Sequence, residues 1–167
     1  MAQLGQFALA LAFTVAVYAI AASLYGIRIK NDRLIASGRN AGIGVFASLT
    51  VAILSLGYLF LVSDFSIGYI QANSNRDLAL FYKIAGIWGG QEGSLLLWGW
   101  LLSFYAALVF IQNRKRHTAM MPYVVAVLMA SSIFFTSLNL FVVNPFNEFV
   151  TVASDGTMRA FTAADGR

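Results

Sequence analysis

Cysteine is absent from this chain of 167 residues. That excludes structural disulfides, thiolate metal sites and a thiol redox role, although it does not fix the compartment. Histidine occurs once, at His117, and one lone imidazole makes a poor metal site. Charge is scarce as well. Asp, Glu, Lys and Arg make up 11% of the chain, against about 25% in a soluble domain. No Ser/His/Asp set, phosphate-binding loop or paired carboxylate site is visible, so the residues themselves display no catalytic apparatus.

What is present is apolar. Hydrophobic residues account for 59% of the chain, which points to lipid as the solvent. Residues 4–24, 41–62, 94–111 and 119–143 carry no charge. Each run reaches the roughly 18–20 residues that cross about 30 Å of hydrocarbon as a helix. The first run lacks a basic leader and is overlong for a cleaved signal peptide. The expectation is an all-α membrane protein with four transmembrane helices, followed by a tail over residues 144–167.

The basic residues set the orientation. Arg28, Lys30, Arg33 and Arg39 lie in the first loop, and Arg114, Lys115 and Arg116 in the third, together seven of the eleven Lys/Arg residues. The positive-inside rule places those loops in the cytoplasm and both ends of the chain outside, which in a bacterium is the periplasmic face of the inner membrane. A net charge of +4 distributed in this way reflects membrane orientation and not nucleic-acid binding. His117 falls in the inner loop, on the wrong side for an outer cofactor, and reads as a solvated residue. Met120, Met121 and Met129 read as packing residues and not axial ligands.

Small residues recur every four positions, as in Ala8/Ala12/Ala16, Gly44/Ser48/Ala52, Gly99/Ser103/Ala107 and Ala126/Ala130. Such stripes let helices approach closely in lipid. No ionisable residue sits mid-span, which weighs against a proton pump or ion-coupled transporter. Asn139 is the deepest strong amide and lies near an outer end.

The second loop, residues 63–93, is the informative one. Asn73-Ser74-Asn75 offers capping side chains and Asp77 suits a first turn. Leu78, Phe81, Tyr82 and Ala85 follow helical spacing, so residues 77–86 read as a short interfacial helix before the third span, with Lys83 toward the headgroups. Then comes Trp88-Gly89-Gly90-Gln91-Glu92-Gly93-Ser94-Leu95-Leu96-Leu97-Trp98. Bare glycine backbone permits close approach of a flat ligand or another helix. Trp88 and Trp98 suit either stacking on a large planar molecule or an ordinary aromatic belt. Glu92 either caps the third span or makes a functional polar contact at the bilayer edge. Trp88, Gly89, Gly90, Glu92 and Trp98 are therefore the candidate site.

This stretch, with Phe81-Tyr82-Lys83-Ile84-Ala85 before it and Asn144-Pro145-Phe146 after the fourth span, resembles the N-terminal part of the CcmF family. That family is the large membrane subunit of the cytochrome c haem lyase. Haem-handling proteins of nitrite reductase biogenesis share the motif. The resemblance implies an assembly factor that accepts haem from a periplasmic haem chaperone. With other haem lyase subunits, it promotes thioether attachment to the cysteines of apocytochrome c. It also implies that the axial ligands lie outside this chain. The residue chemistry itself makes the five candidate residues a candidate wall for haem or a partner, the rival being that Trp88 only anchors the helix and Glu92 only caps it. Family members continue into a His-Pro-Pro segment, a tryptophan-rich loop and further helices, so a fragment or one product of a split gene is expected. Two other readings remain compatible with the residues, a small transporter or channel subunit and a purely structural membrane subunit.

The topology is testable by cysteine accessibility, since the chain has no native cysteine. Trp88→Cys should label from outside intact cells and Lys115→Cys should not. Efficient outer labelling at position 115 would reverse the orientation.

Overall fold

The computed structural model describes residues 1–75, 79–114, 119–147, 150–152 and 158–160. Four helices are long and apolar enough to span a bilayer: α1 (Ala2–Arg28), α2 (Asp32–Leu61), α5 (Gln91–Gln112), and α6 (Met121–Ser137) with its continuation to Val142. The chain is a multi-pass membrane protein. Two short helices, α3 (Gly68–Asn73) and α4 (Leu80–Gly86), connect α2 to α5. The helices form an up-down bundle in which α1 packs on α2, α2 on α5, α5 on α6, and α6 back on α1.

Local chemistry sets the turns. Between α1 and α2, Lys30 takes a left-handed φ of 54°, and the Asn31 side chain accepts from the Arg33 and Leu34 amides at 3.0 and 3.2 Å. This side chain satisfies amides that the first turn of α2 leaves free. At the same end, Arg39 donates to the Arg114 carbonyl at 3.2 Å. The two basic loops thus meet at one end of the bundle. Lys115, Arg116 and His117 lie outside the described residues.

Small residues let the long helices close on one another. Ala8, Ala12, Ala16 and Ala19 are buried along α1, and Gly99, Ser103 and Ala107 along α5. A Cβ at Gly99 would stand 3.2 Å from the Phe135 Cβ of α6. The fourth stripe behaves differently. Ala126 is half-buried and Ala130 exposed, because α6 packs through Val125, Met129, Ser132 and Thr136 instead. Trp100 turns inward and donates its indole N–H to Thr50 at 2.9 Å, stacking with Phe104 beside Phe46. Trp98, two residues earlier, faces out.

The end opposite the basic loops is closed by the chain itself. At the top of α6 a π-helical turn, Leu138–Val142, buries Asn139, whose amide donates to the Phe135 carbonyl at 3.0 Å. Asn144 then accepts from the Phe146 amide at 2.9 Å. The turn drives the Phe146 ring against Gly5 of α1, where any Cβ would collide with it. The Asn147 carbonyl accepts from the Gly68 amide at 3.2 Å, joining the tail to α3. Beyond it, Val150–Val152 (β1) and Met158–Ala160 (β2) pair antiparallel, a ribbon that the sequence reading did not anticipate.

The connection between α2 and α5 also departs from expectation. A helix over residues 77–86 was expected, whereas α4 begins at Leu80; Asp77 and Leu78 lie outside the described residues. Asn73 does not cap α4. It ends α3, and its amide donates back to the Tyr69 carbonyl at 3.0 Å. Lys83 donates to Ser63 at 2.8 Å, strapping α4 to the residue just beyond the end of α2. Phe81 and Tyr82 remain exposed.

Gly99→Leu should wedge α5 from α6 at Phe135, since overpacking costs about 1–3 kcal/mol. Membrane abundance and thermal stability in detergent should fall, while Val127→Leu, on the exposed face of α6, leaves both unchanged. Equal behaviour of the two variants would mean that the α5–α6 seam is not closely packed.

Candidate functional site

The Trp-Gly-Gly segment is built around a tyrosine. Tyr69 of α3 is buried, with its ring edge-on to Phe60 of α2 at 5.5 Å. Its hydroxyl donates toward the Gly86 and Ile87 carbonyls, at 3.1 and 3.2 Å, and accepts from the Gly90 amide at 3.1 Å. One phenol thereby satisfies backbone groups on both sides of the turn between α4 and α5. A turn this close to a buried ring leaves backbone groups without water, so each must find a partner in the protein. Ser94 closes the turn further by donating to the Trp88 carbonyl at 2.8 Å.

This packing explains most of the glycines. A Cβ at Gly93 would collide with the Ile87 carbonyl and the Tyr69 hydroxyl, and one at Gly90 would stand 2.7 Å from the Tyr69 ring. At Gly86 it would meet the Phe60 ring at 2.7 Å. The close approach that these glycines permit is taken up by α3 and α2. Gly89 differs: it is exposed, and a Cβ there would find only ordinary contacts from 3.5 Å outward.

The remaining candidates therefore separate. Trp88 is exposed on the locked turn, next to Gly89. Glu92 sits in the first turn of α5, where the helix dipole favours a carboxylate. The N-cap position itself is Gly90, which carries no side chain to cap the helix. No hydrogen bond or ion pair holds Glu92 among the described residues. Trp98 is exposed two turns down α5. Trp88, Gly89 and Glu92 thus share the end of the bundle, while Trp98 belongs to the helix flank.

Tyr69 and Phe146 were missed as organising residues. Tyr69 did leave a signal, because Ile67, Tyr69 and Ile70 form an apolar cluster within a connecting loop and all three are buried. Burial raises the Tyr69 phenol above its ordinary value near 10; hydrogen bonding from the Gly90 amide opposes this, and the nearby Glu92 carboxylate adds to it. No group of three or more His, Cys, Asp or Glu side chains comes together among the described residues. This end of the bundle brings together an exposed indole, exposed glycine backbone and a carboxylate with no hydrogen bond or ion pair among the described residues.

Known proteins decide the family. A CcmF of Haemophilus influenzae, described as a cytochrome c-type biogenesis protein, is 38% identical over 146 residues, covering 87% of this chain and 22% of that protein. The chain is a CcmF-family sequence, corresponding to the N-terminal portion of its members. The CcmF of Escherichia coli is 34% identical over 88% of this chain and 23% of its own length. NrfE of Haemophilus influenzae, also described as a cytochrome c-type biogenesis protein, is 32% identical over 92% and 24%. A solved structure described as cytochrome c haem lyase CcmF superposes with a TM-score of 0.82 at 27% identity, covering 87% of this chain and 24% of that one. The chain thus spans between a fifth and a quarter of the length of these CcmF-family relatives. No family model matches it.

The Tyr69 turn makes two checkable statements. Gly93→Ala should lower thermal stability by about 1–3 kcal/mol through its clash, while Gly89→Ala stays within about 0.5 kcal/mol. Because the folded state raises the phenol's pKa, its contribution is fully present below about pH 10, the unfolded value, and fades as pH rises through the higher folded value. Tyr69→Phe should remove that alkaline component from the pH–stability profile. An unchanged alkaline limb would show that another group governs it.

Proposed function

We propose that this chain forms the N-terminal membrane bundle of a cytochrome c haem lyase, in the bacterial inner membrane with both ends periplasmic. The names of its relatives, its composition and its paired basic loops support that placement. On this reading haem is the cargo. It comes from a periplasmic haem chaperone and is attached to apocytochrome c with the help of other haem lyase subunits and the remainder of a CcmF-like polypeptide. Its axial ligands lie outside this chain.

The observation that carries the site is the exposure of Trp88 and Gly89 on a turn otherwise locked to Tyr69. A rigid backbone holds an indole outward at little cost in ordering, and the adjacent glycine leaves room for a flat molecule to lie against the main chain. The Glu92 carboxylate, with no hydrogen bond or ion pair among the described residues, supplies a polar contact at the same end. These residues orient and shield; they neither ligate iron nor form the thioether bonds.

The test compares holocytochrome c yield with membrane abundance for Trp88→Ala, Gly89→Leu and Glu92→Gln in the complete protein. Gly89→Leu is informative because position 89 has space for a side chain, so bulk there blocks approach from outside without disturbing the fold. A site role predicts lost maturation at normal abundance. Maturation that merely tracks abundance in all three would make the segment a structural element.

A further inference from the structure

Two helices of the bundle expose stripes of the same geometry and opposite chemistry. On α6 and its flanks, Met120, Val127, Phe134 and Phe141 recur at seven-residue spacing and are exposed, as are Tyr123 at the start of the helix, Ala130, and Val142 at its end. All four residues of the seven-residue repeat are apolar, as a lipid-facing stripe requires. On α5 the exposed residues are Gln91, Trp98, Tyr105, Ile111 and Gln112. Four of these, again seven apart, carry hydrogen-bonding groups: two amides, an indole and a phenol. The leucines of α5, which lipid would accept without penalty, are turned partly or fully inward.

Depth sharpens the contrast. Gln91 and Gln112 end the helix and reach water. Trp98 and Tyr105 each lie seven residues inside, about 10 Å along the axis at 1.5 Å per residue. Helical side chains lean toward the helix N-terminus. Trp98 therefore leans back toward its nearer surface, while Tyr105 leans away from its own and toward the bilayer middle. Tyr105 is 62% exposed, and its hydroxyl has no hydrogen-bond partner among the described residues. By comparison, Trp100 on the same helix is satisfied by Thr50 and Tyr18 on α1 by Ser37, and the other exposed phenols of the long helices without a hydrogen-bond partner among the described residues, Tyr25, Tyr58 and Tyr123, lie within about one turn of a helix end. A polar group facing hydrocarbon with no partner is costly, and membrane helices resolve this by hydrogen bonding to a neighbour.

We propose that the Trp98–Tyr105 face of α5 is the docking seam for a further transmembrane helix of the same haem lyase assembly, one that presents a hydrogen-bond acceptor at the depth of Tyr105. The relatives leave length for such a helix, since the matched region is only 22 to 24% of their length. The α6 stripe faces lipid. This concerns the membrane-embedded flank and stands whether or not Trp88 meets haem.

Photo-crosslinking in native membranes, with the whole assembly expressed, tests the seam. p-Benzoylphenylalanine replaces Tyr105, separately Trp98, and, as the lipid-facing control, Val127, and the adducts are mapped by mass spectrometry. Adducts from 105 or 98 to a transmembrane segment of the assembly outside this chain, with lipid adducts alone from 127, are the expected result. Tyr105→Phe should also reduce the amount of that segment retained after detergent extraction, whereas Val127→Ala should not. Lipid adducts alone at both 105 and 98, or adducts to a second copy of this chain, would overturn the proposal.

Discussion

Everything at the Trp-Gly-Gly end of this bundle hangs on one phenol oxygen. Tyr69 bonds the last carbonyls of α4 and the first free amide before α5 at once, so the direction in which α5 enters the bundle follows from where α3 sits. The position of α3 is fixed in turn by Phe60 beneath it and by the Asn147 carbonyl beside it. Hydrogen bonds of this kind contribute about 1 kcal/mol each in net terms. Their larger effect is negative: a turn with three unpaired backbone groups against a buried ring would not survive. The glycines are the geometric counterpart, since Gly86, Gly90 and Gly93 leave the space that the Tyr69 and Phe60 rings occupy.

That arrangement changes how the glycine-rich motif should be understood. A motif of glycines and tryptophans at a membrane surface invites the idea that the glycines clear a path for a ligand. Here three of them clear a path for the protein's own helix, and Gly89 alone opens outward. The packed face and the exposed face lie on the same few residues but point in opposite directions. Trp88 and Gly89 look out, whereas Gly90 and Gly93 look in.

The four long helices were legible because lipid is an unforgiving solvent. Uncharged runs of sufficient length have no other stable state; the first and third helices extend their runs at both ends, α2 begins nine residues before its run, and the fourth stays just inside its own. Small-residue spacing located the α1 and α5 contacts but misjudged α6, where Ala126/Ala130 matches the four-residue pattern without being the buried face. Helix α3 was not legible. It has six residues, too short for periodicity, and it is stable only through contacts made by Tyr69 and Ile70 to distant parts of the chain. Asn73 misled for a related reason: an asparagine near a helix end signals an N-cap or a C-terminus equally well, and only the tertiary fold decides. Phe146 looked like part of a family signature, and its burial against Gly5, some 140 residues earlier in sequence, becomes visible only in three dimensions.

The most direct measurement of the central claim is amide hydrogen exchange across residues 84–94 in detergent or nanodiscs, for the native chain and for Tyr69→Phe. If the phenol holds the turn, this segment exchanges slowly in the native protein and markedly faster in the variant, while the interior of α2 is unaffected in both. Rapid exchange of the segment in the native protein, or equal protection in the two, would contradict the account.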